Sequence, residues 1–298
     1  MNMKLDSATL NRIRLIELRT RRLVNDSFAG AYHSVFKGQG MTFDSVRAYE
    51  PGDDVRSIDW NVTARTGEPF VKRYVEEREL TVMLALDTSA SIQFGTVRKQ
   101  KRELVAELGA ALTLSALANN DRVGLLIFSD RLERFIPPRK GRNHALRLIR
   151  DLLTAKSSGT GTDLSLGLRA LNRTLRRRAI VFLLSDFLAP VEDYETELVA
   201  TGRRHDVIAL AVRDPLERAW PTGALIGLRD AETGSVAWID TSGADWRKRY
   251  AQQAERFMQA RRAALARAQV DCVEIDLDSD YVAALVCFFQ RRERRLRA

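Results

Sequence analysis

A chain of 298 residues is long enough for one large domain or two unequal ones, and 45% hydrophobic with 29% charged residues is typical of a globular protein with a sizeable core. No apolar run reaches the roughly 18–20 residues of a membrane-spanning helix. Residues 1–20 carry charges within a helical pattern, which is not typical of a signal peptide. We therefore expect a cytoplasmic protein without a membrane span, in which Cys272 and Cys287 are reduced core residues.

The net charge of +9 is concentrated in arginine-rich helix faces, at residues 176–178, 261–262 and 291–297. Cations in the last turn of a helix are stabilised by the helix dipole, so such faces are ordinary. No aromatic residues interleave with these arginines, as a base-stacking surface would require. Nucleic-acid binding is therefore the less favoured interpretation, and an acidic protein or a lipid surface would fit the charge equally well.

Residues 1–80 predict a helix followed by a turn-rich, β-leaning segment. Leu10, Ile13, Ile16 and Leu23 form one apolar stripe of an amphipathic helix over residues 5–24. Glycines and the Pro51-Gly52 pair then separate short strand-like runs at residues 43–49 and 69–75. The pattern indicates a small N-terminal region, distinct from residues 81–298.

From residue 81 onward, strands and helices alternate. The predicted strands are residues 81–86, 122–128, 179–184, 206–212 and 270–275, with a short edge segment at 134–136 closed by two prolines. The predicted helices are residues 99–119, 143–153, 163–175, 192–202, 243–268 and 279–295. An insertion near residues 214–242 contains a hairpin. This alternation predicts a doubly wound, mainly parallel, Rossmann-like α/β sheet, which binds ligands at the carboxyl ends of its strands.

The most informative motif is Asp87-x-Ser89-x-Ser91, directly after the apolar strand at residues 81–86. It brings one carboxylate and two hydroxyl groups into a tight turn, and hard oxygens of this kind suit Mg²⁺. Alternatively, the three residues only turn the chain and cap the next helix. Because Asp87 would lie at the solvent edge of the sheet, its replacement by alanine is expected to leave the fold intact.

Three segments together resemble the metal-ion-dependent adhesion site of von Willebrand factor type A domains. They are the Asp87 motif, the Gly161-Thr162 pair before a helix, and Asp186 at the end of the strand at residues 179–184. In that family, five such positions coordinate one divalent cation, directly or through water. The resemblance implies Mg²⁺ or Mn²⁺ bound by Asp87, Ser89, Ser91, Thr162 and Asp186.

Two of these assignments have alternatives. Thr162 could be the N-cap of the following helix, although Asp163 could take that role and leave Thr162 for the ion. Asp130 ends the strand at residues 122–128 with the same Ser-Asp dipeptide that contains Asp186, and the order of motifs in the family favours Asp186.

Residues 38–43, 46–60, 64–65 and Glu77 are similar to the signature of the bacterial domain-of-unknown-function 58 family, whose members pair this segment with a von Willebrand type A domain. Many members carry N-terminal membrane helices, and this chain looks like the short soluble form. The family is associated with MoxR-type AAA+ ATPases. The resemblance implies a chaperone-like or assembly role with such an ATPase and its client protein.

The segment from Pro51 to Arg56 has two interpretations. It could be a structural turn that is capped by Asp53 or Asp54. In that interpretation, Arg56 pairs with a carboxylate and Asp59-Trp60 forms a buried anchor. It could instead be a docking loop. The structural interpretation is favoured.

Four known catalytic or cofactor-binding motifs are missing from the sequence. A phosphoaspartyl motif would need a second aspartate where Ser89 stands, and there is no phosphate-binding loop, dinucleotide fingerprint or nucleophile elbow. We therefore expect a non-catalytic adaptor, in which an acidic side chain of a partner fills an open position on the ion. A Mg²⁺-dependent phosphoester hydrolase and a basic nucleic-acid-binding protein are the alternatives.

Overall fold

The computed structural model describes residues 32, 35–36, 42–75, 80–97, 99–155, 159, 161–223, 225–230 and 234–297. The predicted helix over residues 5–24, the motif residues before 42 and Glu77 lie outside this part of the chain. The described residues form two compact units, one within Phe36–Leu80 and one that contains Thr81–Ala298.

The smaller unit contains two antiparallel strands and a short helix. Strands β1 (Thr42–Ala48) and β2 (Phe70–Val75) pair with each other, and helix α1 (Trp60–Thr66) lies between them in sequence. The Asp59 carboxylate caps α1 by accepting hydrogen bonds from two backbone amides. Gly67 ends α1 with φ of 77°, a left-handed conformation that glycine adopts without strain.

The turn before α1 differs from its prediction in two respects. Arg47, rather than Arg56, pairs with a carboxylate, since its guanidinium donates to both oxygens of Asp53 at 2.8 and 2.6 Å. Trp60 is 66% exposed, so the prediction of a buried anchor at this residue is wrong. Trp60 is the first residue of α1, which begins at the Asp59 cap.

The larger unit is built around a six-stranded sheet. Its strands are β3 (Thr81–Asp87), β4 (Arg122–Phe128), β5 (Leu132–Arg139), β6 (Ile180–Ser185), β7 (Asp206–Arg213) and β10 (Asp271–Asp276). Strands β8 (Leu225–Arg229) and β9 (Val236–Asp240) form the predicted hairpin. The helices are α2 (Lys101–Ala118), α3 (Arg142–Thr154), α4 (Leu164–Thr174), α5 (Val191–Arg204), α6 (Ala244–Arg267) and α7 (Tyr281–Arg297).

The strand order is β10-β7-β6-β3-β4-β5, and all pairs except β4–β5 are parallel. The chain passes from β3 to β4 on one side and returns to β6 on the other side of β3. The strand order therefore reverses at β3 and β6, whose carboxyl ends form the crevice in which such sheets bind ligands. The predicted doubly wound, mainly parallel α/β fold is confirmed.

Helices cover both faces of this sheet. Met83 and Ala85 of β3 face one side and share a buried cluster with residues of α4, α5 and α6, among them Leu168, Leu198 and Leu265. Val82 and Leu84 point to the opposite face, because successive strand side chains alternate, and both are completely buried. Helix α2 packs against β3, β4, β6 and β7. The central strands are thus buried on both faces, as their continuous apolar sequences predict.

The edge strand β5 is longer than predicted. It runs through Pro137 and Pro138 to Arg139, although the sequence predicted that the prolines end it. Proline is tolerated here because β5 is an edge strand that pairs with β4 alone, so the missing amide donors break no hydrogen bonds to a second neighbouring strand.

Cys272 is partly buried but Cys287 is exposed, so the prediction that both lie in the core is wrong for Cys287. Among the helices described, none is long and apolar enough to cross a membrane.

Candidate metal centre

Asp87 ends β3 and its side chain is completely buried. One carboxylate oxygen accepts a hydrogen bond from the backbone amide of Ser89 at 2.9 Å, and the other accepts one from the Ser185 hydroxyl at 2.6 Å. Ser185 is the last residue of β6, so these bonds join the two strands at which the sheet order reverses.

The Asp87 carboxylate is electrostatically unfavourable in this position. Burial and the negative charge of Asp186 raise its pKa to about 6, even though the bonds from Ser185 and Ser89 favour the ionised form. The expectation that Asp87 lies at the solvent edge is therefore wrong. Ser89 and Phe187, which lie in the loops after β3 and β6, are completely buried as well.

Ser89 and Ser91 present their hydroxyl groups to each other. The two Oγ atoms are 3.1 Å apart, with Ser89 buried and Ser91 half-buried. Ser89 is the N-cap residue of a short 3-10 turn (Ala90–Gln93), yet its side chain makes no capping hydrogen bond. The next long helix begins only at Lys101, after Gln100. Helix capping therefore does not account for the hydroxyl groups of these serines. The bond from the Ser89 amide to Asp87 is of the kind that turns the chain, so the turn part of the alternative interpretation agrees with the structure.

Asp186 follows β6 and is 1% exposed. The next residue, Phe187, has φ of 54°, a left-handed conformation that is uncommon for a residue other than glycine. The Phe187 amide donates to the Ser185 hydroxyl at 3.0 Å, and the Leu188 amide donates to Asp186 Oδ1 at 3.3 Å. This turn fixes the Asp186 carboxylate at the end of β6, close enough to Asp87 for their charges to repel.

A buried lysine, Lys101, also belongs to this centre and was not predicted from the sequence. Lys101 is the first residue of α2, and its Nζ atom lies 2.6 Å from Asp186 Oδ2 and 2.5 Å from Glu217 Oε1. Burial alone would lower the pKa of Lys101, but the Asp186 and Glu217 carboxylates raise it above its ordinary value. The side chain therefore carries a positive charge inside the protein.

Lys101 and Glu217 each left a weak signal in the sequence. The helix dipole disfavours a positive charge in the first turn of a helix, which makes lysine a disfavoured residue at position 101. Glu217 completes a capping box with Asp214 in the turn Pro215–Glu217 after β7. Asp214 also accepts bonds from the Thr96 amide and hydroxyl at 2.7 and 2.6 Å, which ties this turn to the loop after β3.

Thr162 lies at the same edge of the sheet, in the loop before α4. Asp163 is the N-cap of α4 and its carboxylate accepts from the Leu166 amide at 2.8 Å, so the cap falls on Asp163 and not on Thr162. Thr162 lines a polar depression of about 360 Å³ with Ala189 and Asp193, which follow Asp186 in the chain. Its participation in metal binding stays a prediction.

The alternative aspartate, Asp130, has different neighbours. It pairs with Arg131 at 3.0 Å and accepts a hydrogen bond from Ser129. The backbone amide of Gly161 also binds it, and a Cβ atom on Gly159 would lie 1.8 Å from its Oδ1 atom. Asp130 thus holds the glycine-containing loop, whereas Asp186 is the aspartate that faces Asp87.

The predicted ligand set fits a hard divalent cation. Within the described part of the chain, no three His, Cys, Asp or Glu side chains cluster as a metal site, and the predicted set instead combines two carboxylates with three hydroxyl groups. Asp87 bonds only to neutral donors, Ser89 and Ser185, among the described residues. A cation beside Asp87 would relieve both its burial penalty and its repulsion by Asp186. Metal binding by these residues stays a prediction.

A cavity of about 350 Å³ lies next to this centre. Its lining includes Glu217, the apolar side chains of Leu188, Tyr250 and Phe257, and the buried Arg261. Arg261 donates to the backbone carbonyl of Asp186 at 3.3 Å and pairs with Glu274 at 3.0 Å. Glu217 thus lines the cavity and also pairs with Lys101. Leu188 and Arg261 connect the cavity to the loop that contains Asp186.

Comparisons of the sequence identify similar proteins. A family model described as "Protein of unknown function DUF58" matches residues 45–260. The uncharacterized protein Rv1480 of Mycobacterium tuberculosis is 34% identical over 288 residues, which cover 95% of this chain and 89% of that protein. The uncharacterized protein YeaD of Bacillus subtilis is 29% identical over 111 residues, 37% of this chain and 26% of that protein.

Comparisons of the structure give more distant similarities. The conserved hypothetical protein BatB from Bacteroides thetaiotaomicron aligns with a TM-score of 0.45 and 17% identity over 74% of this chain and 100% of that chain. The von Willebrand type A domain of SpRpn10 aligns with a TM-score of 0.39 and 10% identity, over 70% of this chain and 94% of that domain. At these identities, the similarity concerns the fold alone.

Proposed function

This chain belongs to the DUF58 family, and we propose that it is a non-catalytic, metal-dependent adaptor for protein–protein interaction. One observation carries this proposal: Asp87, Asp186, Ser89 and Ser91 are gathered at the strand ends where the sheet order reverses. The Ser89 hydroxyl makes no capping bond, and among the residues that the structure describes the Asp87 carboxylate accepts hydrogen bonds from Ser89 and Ser185, both neutral.

In this proposal, Asp87, Ser89, Ser91, Thr162 and Asp186 hold one Mg²⁺ or Mn²⁺ ion, directly or through water. The ion supplies a Lewis-acidic position that an acidic group of a partner can fill. Mg²⁺ keeps several waters and needs only one or two protein carboxylates, which agrees with two aspartates in the set. The role of this chain's own residues is to position the ion and to bury its carboxylate ligands.

The proposed partner is a MoxR-type AAA+ ATPase, together with the client protein of a chaperone-like assembly step. The resemblance of the sequence to the domain-of-unknown-function 58 family suggests this partnership. The cavity next to the centre offers a partner segment a partly apolar surface with exposed Leu188, 41% accessible, at its margin.

The nucleic-acid alternative is less favoured because key arginines are already paired. In α7, Arg292 pairs with Asp206 and Asp271, and Arg295 pairs with Asp271 at 2.7 Å. These side chains connect α7 to β7 and β10, and a phosphate would have to compete with their present carboxylate partners. The exposed residues 176–178 remain a basic surface for an electrostatic contact.

Recovery of the ATPase by this protein is expected to require a divalent ion. In a pulldown with the full chain and a purified MoxR-type ATPase of the same bacterium, Mg²⁺ should support binding, and EDTA should reduce it at least about tenfold. Moderate salt should have a smaller effect, because screening weakens long-range attraction more than a direct bond to an ion. Asp87→Asn should behave as the wild type does in EDTA.

The matched control replaces Arg176, Arg177 and Arg178 by serine, which removes exposed charge and leaves the sheet edge unchanged. Binding that survives EDTA and disappears in this control would replace the metal-dependent proposal with an electrostatic one. Turnover of a phosphoester by the wild type with Mg²⁺, lost in Asp87→Asn, would show that the protein is an enzyme.

A further inference from the structure

The buried ammonium group of Lys101 has three neighbours in the candidate metal centre, two carboxylates and one aromatic ring. Asp186 and Glu217 accept from Nζ at 2.6 and 2.5 Å, and the Phe94 ring lies 5.9 Å from it. The Lys101 backbone amide donates to the Phe94 carbonyl at 3.0 Å, which fixes the start of α2 against the loop after β3. Lys101 has no exposed surface. These contacts keep the positive charge of Lys101 beside the Asp186 carboxylate.

The location of that charge matters for a divalent ion. Asp87, Asp186, Glu217 and Lys101 contribute three carboxylates and one ammonium, a formal charge of minus two. The ammonium neutralises Asp186, one of the two predicted carboxylate ligands. Since the group is buried, its repulsion of a nearby cation is screened much less than it would be at the surface.

We propose that Lys101 is a tethered cation that competes with the divalent ion for Asp186 and so lowers the metal affinity of the centre. This inference rests on the proposed function, since it assumes that the ion binds there. It adds one feature to that function. Because Lys101 neutralises part of the negative charge of the centre, the centre alone holds an ion weakly, and a carboxylate of the partner then supplies the missing negative charge.

A purely structural ion pair predicts a different result. If Lys101 only stabilises the loops, its replacement would disorder the ligands and weaken metal binding or leave it unchanged. If Lys101 competes with the ion, its replacement by an uncharged side chain of similar length would strengthen metal binding. The two roles therefore differ in the sign of the change in affinity.

The test is a calorimetric titration of Mg²⁺ alone into the full chain, compared between the wild type, Lys101→Met and Glu217→Gln. Lys101→Met changes the formal charge of the cluster to minus three, and we expect Mg²⁺ to bind at least about tenfold more tightly. Glu217→Gln changes it to minus one, and we expect binding to weaken at least about threefold. Lys99→Met is the matched control, because Lys99 pairs at 2.8 Å with Glu107, which is not a predicted ligand.

Circular dichroism establishes whether each variant is folded. A folded Lys101→Met that binds Mg²⁺ no more tightly than the wild type would overturn the inference and leave the proposed function standing. If neither protein binds Mg²⁺, both the inference and the proposed function are wrong. If Lys101→Met does not fold, Lys101→Gln takes its place: tighter binding supports the inference, and unchanged or weaker binding overturns it.

Discussion

Lys101→Met is expected to lower the free energy of unfolding by about 3–5 kcal/mol in the absence of divalent ions. The substitution leaves Asp186, which is 1% exposed, and the largely buried Glu217 without a cation. Breaking a buried pair by removing one partner is costly because the other charge cannot be solvated. Urea denaturation in EDTA measures the loss.

Two comparisons identify the cause of this loss. Lys99→Met should cost less than about 1 kcal/mol, since the Lys99–Glu107 pair is partly exposed and is screened by solvent. The double variant Lys101→Met, Asp186→Asn should be more stable than Lys101→Met, because it removes a charge that the single variant leaves unpaired. Equal stability of the single and double variants would show that Lys101 contributes by packing alone.

Asp87→Asn is expected to raise the free energy of unfolding by about 1–2 kcal/mol at pH 7 without metal. Burial and repulsion by Asp186 raise the pKa of Asp87 to about 6, so the folded state binds a proton that the unfolded chain has already lost. Asparagine keeps an acceptor for the Ser89 amide but carries no charge. The gain is smaller than the pKa shift alone implies, because the bond from Ser185 to an ionised oxygen is lost.

The sign of this effect can be checked against pH. In the folded wild type, the penalty develops as pH rises from about 4 to about 6, because the unfolded chain ionises at the ordinary pKa and the folded one only at the raised pKa. The stability difference between Asp87→Asn and the wild type should therefore be small near pH 4 and largest above pH 6. A destabilising effect of Asp87→Asn at pH 7 in EDTA would contradict the conclusion that the ionised Asp87 side chain destabilises the folded protein.

The sequence predicted the sheet and two of its charged strand ends because both depend on local patterns. Continuous apolar runs such as residues 179–184 predict strands that are buried on both faces, and the structure places them in the sheet. Asp87 and Asp186 follow two such runs, so their common edge could be derived from parallel strand geometry. The extent of β5 could not, because only its pairing with β4 shows that Pro137 and Pro138 are tolerated.

The neighbours of these aspartates depend on contacts between residues far apart in sequence. Lys101 reaches Asp186 across 85 residues and Glu217 across 116. A helix pattern at residues 99–119 does not show which carboxylates its first turn meets. The same limit applies to Asp87, which is buried and accepts a hydrogen bond from Ser185, 98 residues further along the chain. Trp60 shows the reverse error, since an aromatic residue beside a capping aspartate looked buried and lies on the surface.

The most direct test of the metal centre is a calorimetric titration of millimolar Mg²⁺ into the wild type, Asp87→Asn, Asp186→Asn and the matched Asp130→Asn. We expect the wild type and Asp130→Asn to bind one ion with similar affinity, because Asp130 holds the glycine loop and does not face Asp87. We expect no measurable binding by folded Asp87→Asn or Asp186→Asn. Mg²⁺ binding by Asp87→Asn as tight as in the wild type, or loss of binding in Asp130→Asn alone, would contradict the assignment of this metal centre.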